Sequence, residues 1–338
     1  MNTLALLLRF IALLLLVACL AGCQSQRAVR TPAAPPITPP PQPEAGPGGK
    51  QYRHAGVLCE KHGSGANAYY LFTPAEPVPA SAPVVVFMHG WSALQPWPYQ
   101  AWINHIVRRG NIVIYPVYQN FFFNLGIVAA KTAMRSTKQA FDQIGRGPIR
   151  PELDHFAIVG HSMGGSAALN MAVQGPEHGL PVPSALMIVQ PGAPPWYPMA
   201  RPEDLPKDLR VIVLVGDADH IAGDRRAREI YDRTPQIPAD RKAYGILQSD
   251  DHGTPPLLAD HFSICAPILP EGTNERRWLF WTFSVDALDF YGTWKLFDAL
   301  TDCALNGLSC ASCTGGAPGF GYMGFWSDGQ AVKPIVCR

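Results

Sequence analysis

A mostly parallel β-sheet covered by helices on both faces is the fold class the sequence predicts, on three observations. Short apolar runs rich in β-branched residues alternate with longer segments of helical spacing from about Gln51 to Leu300. The runs are apolar at successive positions and bounded by turn formers, as strands buried on both faces are. Hydrophobic residues make up 47% of the 338-residue chain and charged residues 16%, against about 25% in ordinary soluble domains, which argues against disorder on a large scale.

The predicted strands are Tyr69 to Phe72, Val84 to Met88, Ile112 to Tyr115, Phe156 to Val159, Ala185 to Val189, Val211 to Val215 and Ala243 to Leu247. Helices are predicted between them at Tyr99 to Arg109, Gly126 to Ile144 and Ser162 to Val173. A longer helix is predicted around Trp278 to Leu300. There Trp278, Trp281, Val285, Leu288, Tyr291, Trp294, Phe297 and Leu300 recur every three or four positions and form a face for packing on the sheet. Sheets of this kind bind their ligands at the carboxyl ends of the strands. About twenty residues lie between Val189 and Val211, too few for a large helical cap, so an open site is expected.

The ends of the chain read differently. Arg9 precedes the apolar run Phe10 to Leu20, and Ala21 and Gly22 follow, the layout of a secretory signal over residues 1–22. Leu20-Ala21-Gly22-Cys23 resembles the lipobox of bacterial lipoproteins, which implies lipid attachment at Cys23, a membrane contact and a place in the cell envelope. Residues 23–50, with eight prolines between Thr31 and Lys50, read as an extended tether. The catalytic domain is expected over residues 51–302, and residues 303–338 as a Cys-rich extension packed on it. Cys59, Cys265, Cys303, Cys310, Cys313 and Cys337, in an oxidising compartment, are most simply disulfides. Cys310-x-x-Cys313 has no second CxxC or paired histidines to complete a metal site. The net charge is +1, and removing residues 1–22 leaves the chain formally neutral, without the basic field that nucleic acid demands.

The chemistry concentrates in Gly160-His161-Ser162-Met163-Gly164-Gly165, directly after a predicted strand and directly before a predicted helix. This is the Gly-x-Ser-x-Gly elbow, whose glycines permit a tight strand-to-helix turn that presents the serine hydroxyl. Ser162 is therefore the candidate nucleophile. A nucleophilic serine needs a base, an acid to orient the base, and N–H donors for the oxyanion. The run Val211 to Val215 leads into Gly216-Asp217-Ala218-Asp219, and the run ending at Leu247 leads to His252, with His261 further along the same loop.

Here the sequence resembles the α/β-hydrolase family, in the branch of lipases, polyester hydrolases and dienelactone-hydrolase-like enzymes, over roughly residues 51 to 300. The resemblance implies the α/β-hydrolase fold without a large cap and a triad in the order serine, acid, histidine. Asp219 takes the acid position, with Asp217 as fallback. His252 is preferred as base because it lies nearest the strand end, and His261 is its competitor. The backbone N–H of Met163 and that of Trp91, in His89-Gly90-Trp91, would form the oxyanion hole. Trp91, Trp97, Tyr118, Phe121, Phe122, Phe123, Trp196 and Tyr197 fall in loops on the same side and could line an apolar groove. No His-Glu-x-x-His or comparable cluster occurs, so neither a catalytic metal nor a cofactor is expected. The implied activity is cleavage of carboxylic esters, small or polymeric. A peptidase, thioesterase or acyltransferase would use the same machinery, and a non-catalytic envelope-binding lipoprotein would be the alternative of another class.

Overall fold

The computed structural model describes residues 35–120, 127–194, 197–268, 283–310, 313 and 315–338. The expected signal over residues 1–22 and Cys23 lie outside them, as do Phe121, Phe122, Phe123 and Trp196. Among the described residues no helix is long and apolar enough to cross a membrane.

Among the described residues nine strands form one sheet: β1 Gly56–His62, β2 Tyr69–Ala75, β3 Ser81–Met88, β4 Ile112–Pro116, β5 Arg150–His161, β6 Ala185–Val189, β7 Arg210–Gly216, β8 Lys242–Leu247 and β9 Val336–Cys337. Their order is β1-β2-β4-β3-β5-β6-β7-β8-β9. The six strands from β4 to β8 run parallel, while β1, β2 and β9 pair antiparallel at the edges. In β3, Val85 and Phe87 face one core and Val84, Val86 and Met88 the other, the alternation that a pleated strand imposes. Helix α1 (Gln100–Arg108) covers the first face with Trp102, Ile103, Ile106 and Val107. Helices α2 (Ile127–Ile144), α3 (Met163–Gln174) and α4 (Arg225–Asp232) cover the second. This is the predicted α/β-hydrolase fold, and between β6 and β7 the described residues hold only the single helical turn Pro202–Asp204.

Four expectations are corrected. The helix expected from Trp278 starts at Ala287, continues through a π-helical segment, Leu288–Trp294, and ends as α5, Lys295–Asn306, on the first core. Its start is fixed by a capping box: the Asp286 carboxylate accepts the Leu288 N–H at 2.8 Å, and the Asp289 carboxylate accepts the Asp286 N–H at 3.0 Å. Trp278 and Trp281 lie outside the described residues.

The Pro-rich tether does not stay free to residue 50. From Ile37 the chain lies on the domain as a strap. Ile37 O accepts the Thr254 N–H at 2.8 Å, Thr38 O accepts the Ser327 N–H at 3.0 Å, and Gly48 N–H donates to Asp298 Oδ2 at 2.7 Å. A proline-rich strand has few N–H groups to satisfy, so a handful of bonds like these is enough to dock it.

The cysteines do not all pair. Cys303 and Cys310 form a disulfide, whereas Cys59, Cys265, Cys313 and Cys337 carry free thiols. The sulfurs of Cys303, Cys310 and Cys313 lie within 4.8 Å of one another, two of them joined by that bond. The C-terminal extension, whose Gly-rich sequence after Cys313 reads as an irregular appendix, adds β9 to the sheet beside β8.

Candidate active site

The site is assembled where β3, β5, β7 and the loop after β8 end together. Met88 pairs in register with Gly160, and Gly216 with Leu247, so those strand ends share one rim of the sheet. Ser162 stands between β5 and α3 with φ +56°, a left-handed conformation that costs a non-glycine residue about 1–3 kcal/mol and persists where the surroundings impose it. Two glycines make the turn possible. A Cβ on Gly160 would meet Gly164 O at 2.2 Å, and one on Gly164 would meet Met88 O at 2.1 Å.

Asp219 sits in the turn after β7 and is 6% exposed. Its Oδ1 accepts the N–H groups of Ile221 and Ala222, each at 2.9 Å, and its Oδ2 lies 2.9 Å from His261 Nδ1. Burial alone would raise this carboxyl, but the hydrogen bonds from His261, Ala222 and Ile221, with the nearby imidazole charge, outweigh it and hold it below the ordinary carboxylate range. A carboxylate can only accept, so the proton on the His261 side of this bond sits on Nδ1, and in the neutral ring Nε2 is then bare. That bare Nε2 is 2.9 Å from Ser162 Oγ. The row Asp219–His261–Ser162 is therefore set to draw the proton from the serine hydroxyl.

His261 thus takes the place expected for His252. The reason is the path of the β8 loop. It pairs Asp250 with Leu257, doubles back, and brings Ala259 O to the Ala218 N–H at 3.1 Å, directly beside the acid turn. Gln190 Nε2 then holds Asp260 O at 2.6 Å, and Asp260 Oδ1 accepts the Phe262 N–H at 2.9 Å. His252 stays on the outward limb, its Nε2 2.8 Å from Asp328 Oδ2 and its ring edge-on to Trp326, so it fastens the C-terminal extension. The fallback acid Asp217 also lies elsewhere, accepting the N–H and hydroxyl of Ser249.

The oxyanion-donor candidates flank the serine. Met163 is the first residue of α3, and Trp91 follows Gly90 in a cavity of about 330 Å³ that opens beside Ser162 and His261. Its walls include Trp97, Pro98, Ile221, Phe262 and Phe283. Trp91 and Trp97 are half-exposed there, as the groove reading expects. Tyr118 and Tyr197 are not part of it: Tyr118 is buried and stacks on His89, and Tyr197 is buried on the other face of the sheet.

His161, which as part of the elbow reads from sequence as packing locally rather than reacting, is tied into this rim through its Nε2, 2.9 Å from the main-chain oxygen of His261. No curated protein matches the chain. Residues 51–198 match the family model for chlorophyllase, so from β1 through the elbow to the loop after β6 the chain is similar to that family of α/β-hydrolase type.

Proposed function

We propose that the chain is a serine hydrolase of carboxylic esters, with Ser162 as nucleophile, His261 as base and Asp219 as its orienting acid. The observation that carries this reading is the pair of 2.9 Å contacts running from Asp219 through His261 to Ser162. In the first half-reaction Ser162 Oγ adds to the ester carbonyl as its proton passes to His261 Nε2. The oxyanion is held by the N–H groups of Met163 and Trp91. Collapse expels the alcohol, which takes the proton from His261. Water then repeats the sequence, its proton passing through the same nitrogen to Ser162, and the acid leaves.

The chlorophyllase match supports an ester substrate. The apolar walls of the cavity favour an ester with a large apolar acyl or alcohol portion, and the absence of a helical cap among the described residues favours bulky ones. The lipobox at Leu20 to Cys23 supports export to the bacterial envelope with a lipid on Cys23.

A panel of p-nitrophenyl esters of increasing acyl length tests the reading. The wild type is expected to turn them over and Ser162→Ala to fall to background. No turnover by the folded wild type, or full activity in Ser162→Ala, would overturn it.

A further inference from the structure

His161, between Gly160 and Ser162 in the elbow, is 3% exposed and has both ring nitrogens engaged. Its Nε2 lies 2.9 Å from the main-chain oxygen of His261, an acceptor, so Nε2 carries a proton. Burial, then the neighbouring His261, lowers its pKa to about 3, which keeps the ring neutral at working pH and leaves Nδ1 bare. That bare nitrogen is 2.9 Å from Tyr99 Oη. Burial raises the Tyr99 phenol far above its ordinary range, so it keeps its proton and donates it. The same oxygen accepts the Gly90 N–H at 3.0 Å.

Every direction in this chain is then determined. Gly90 N–H donates to Tyr99, Tyr99 O–H to His161 Nδ1, and His161 Nε2–H to the His261 carbonyl. It joins the oxyanion loop, the elbow and the base loop, which depart from three different strands. It also occupies the Gly90 N–H, immediately before Trp91 in the same loop. A Cβ on Gly90 would stand 3.1 Å from Tyr99 Oη, a contact tight enough that the phenol would have to give by a few tenths of an ångström.

The geometry points to Tyr99 and His161 as positioning residues that hold the His261 backbone and the Gly90–Trp91 peptide in register with Ser162. This rests on the serine-hydrolase reading for its kinetic consequence, though not for its structural one.

Two measurements on the full chain test it. In the first, kcat per titrated active site is compared for wild type, Tyr99→Phe, His161→Gln and His161→Leu. Tyr99→Phe is expected to lower kcat about 10- to 100-fold with KM within about threefold, the signature of reacting groups displaced by a fraction of an ångström. His161→Gln, whose amide nitrogen can still donate to the His261 carbonyl, is expected to retain more activity than His161→Leu. Wild-type kcat per titrated site in both Tyr99→Phe and His161→Leu would overturn the proposal.

In the second, long-range proton–nitrogen NMR of the imidazoles needs no turnover. It is expected to show His161 as the neutral Nε2–H tautomer from pH 5 to 9, with the His261 resonances shifted in Tyr99→Phe. A His161 that titrates in that range, or His261 resonances unchanged by Tyr99→Phe, would overturn the proposal. A wild type inactive on every ester, with the NMR result as expected, would defeat the hydrolase reading and leave the network standing.

Discussion

His261 Nε2 stands 2.9 Å from Ser162 Oγ across 99 residues of chain, whereas His252, nearer the end of β8, points its Nε2 at Asp328. The two histidines share one loop and have opposite duties. One turns inward to the elbow and the other outward to the C-terminal extension.

Their alanine variants should separate accordingly. His261→Ala is expected to lower kcat/KM by about 10⁴-fold or more, as loss of a triad base does. His252→Ala is expected to stay within about threefold and to lower the melting temperature, because it gives up only the bond to Asp328 and the edge contact to Trp326. Steady-state kinetics and thermal melts on the two proteins check both halves.

The two aspartates after β7 should divide in the same way. Asp219→Asn keeps the shape of the side chain but lets the wrong imidazole tautomer form, and kcat should fall by about 10⁴-fold. Asp217→Asn touches only Ser249 and should leave kcat nearly unchanged. Parallel rate measurements decide it.

Asp219 also gives a stability signature. Its folded pKa lies below the ordinary value of 3.8, so its contribution is fully present above the unfolded value and is lost as pH falls through the lowered folded one. The difference in melting temperature between wild type and Asp219→Asn should therefore be constant from pH 8 to about 5 and shrink below about pH 4. Melts across that range are the check.

The strap predicts a large effect far from the serine. Asp298 Oδ2 accepts the Gly48 N–H at 2.7 Å and meets His105 Nε2 at 2.8 Å and Arg109 Nε at 3.2 Å, in a buried setting. Asp298→Ala removes the acceptor from all three and should cost about 3–5 kcal/mol. Urea unfolding measures this. Removing the chain through residue 50 should lower the midpoint as well, because it takes away the Gly48 N–H and the bonds of Ile37 and Thr38.

What the sequence revealed follows the range of the interactions involved. The elbow is local: Gly160 and Gly164 are needed by backbone atoms of the turn and the adjacent strand, and the five-residue pattern carries that need directly. Asp219 follows the end of β7 by three residues, the place that the α/β-hydrolase resemblance implies for the acid. The base was not readable, because Ala259 O reaches Ala218 N–H only after the loop has reversed through the Asp250–Leu257 pair. Strand β1 was not legible because Gly56–His62 is an edge strand, exposed along most of its length, whose apolar stretch Val57-Leu58-Cys59 is only three residues long. Nor was helix α4, because Arg225–Asp232 buries only Ala227 and Ile230 among its charged residues. The capping box of Asp286 and Asp289 was visible in principle, three residues apart at the true start of the last helix.

Activation of Ser162 by His261 is tested by treating the folded protein with a fluorophosphonate and locating the adduct by peptide mass spectrometry. One adduct is expected, on Ser162, in the wild type and in His252→Ala, with none in Ser162→Ala and far slower labelling in His261→Ala. Labelling that survives Ser162→Ala, or that disappears with His252→Ala while persisting in His261→Ala, would contradict it.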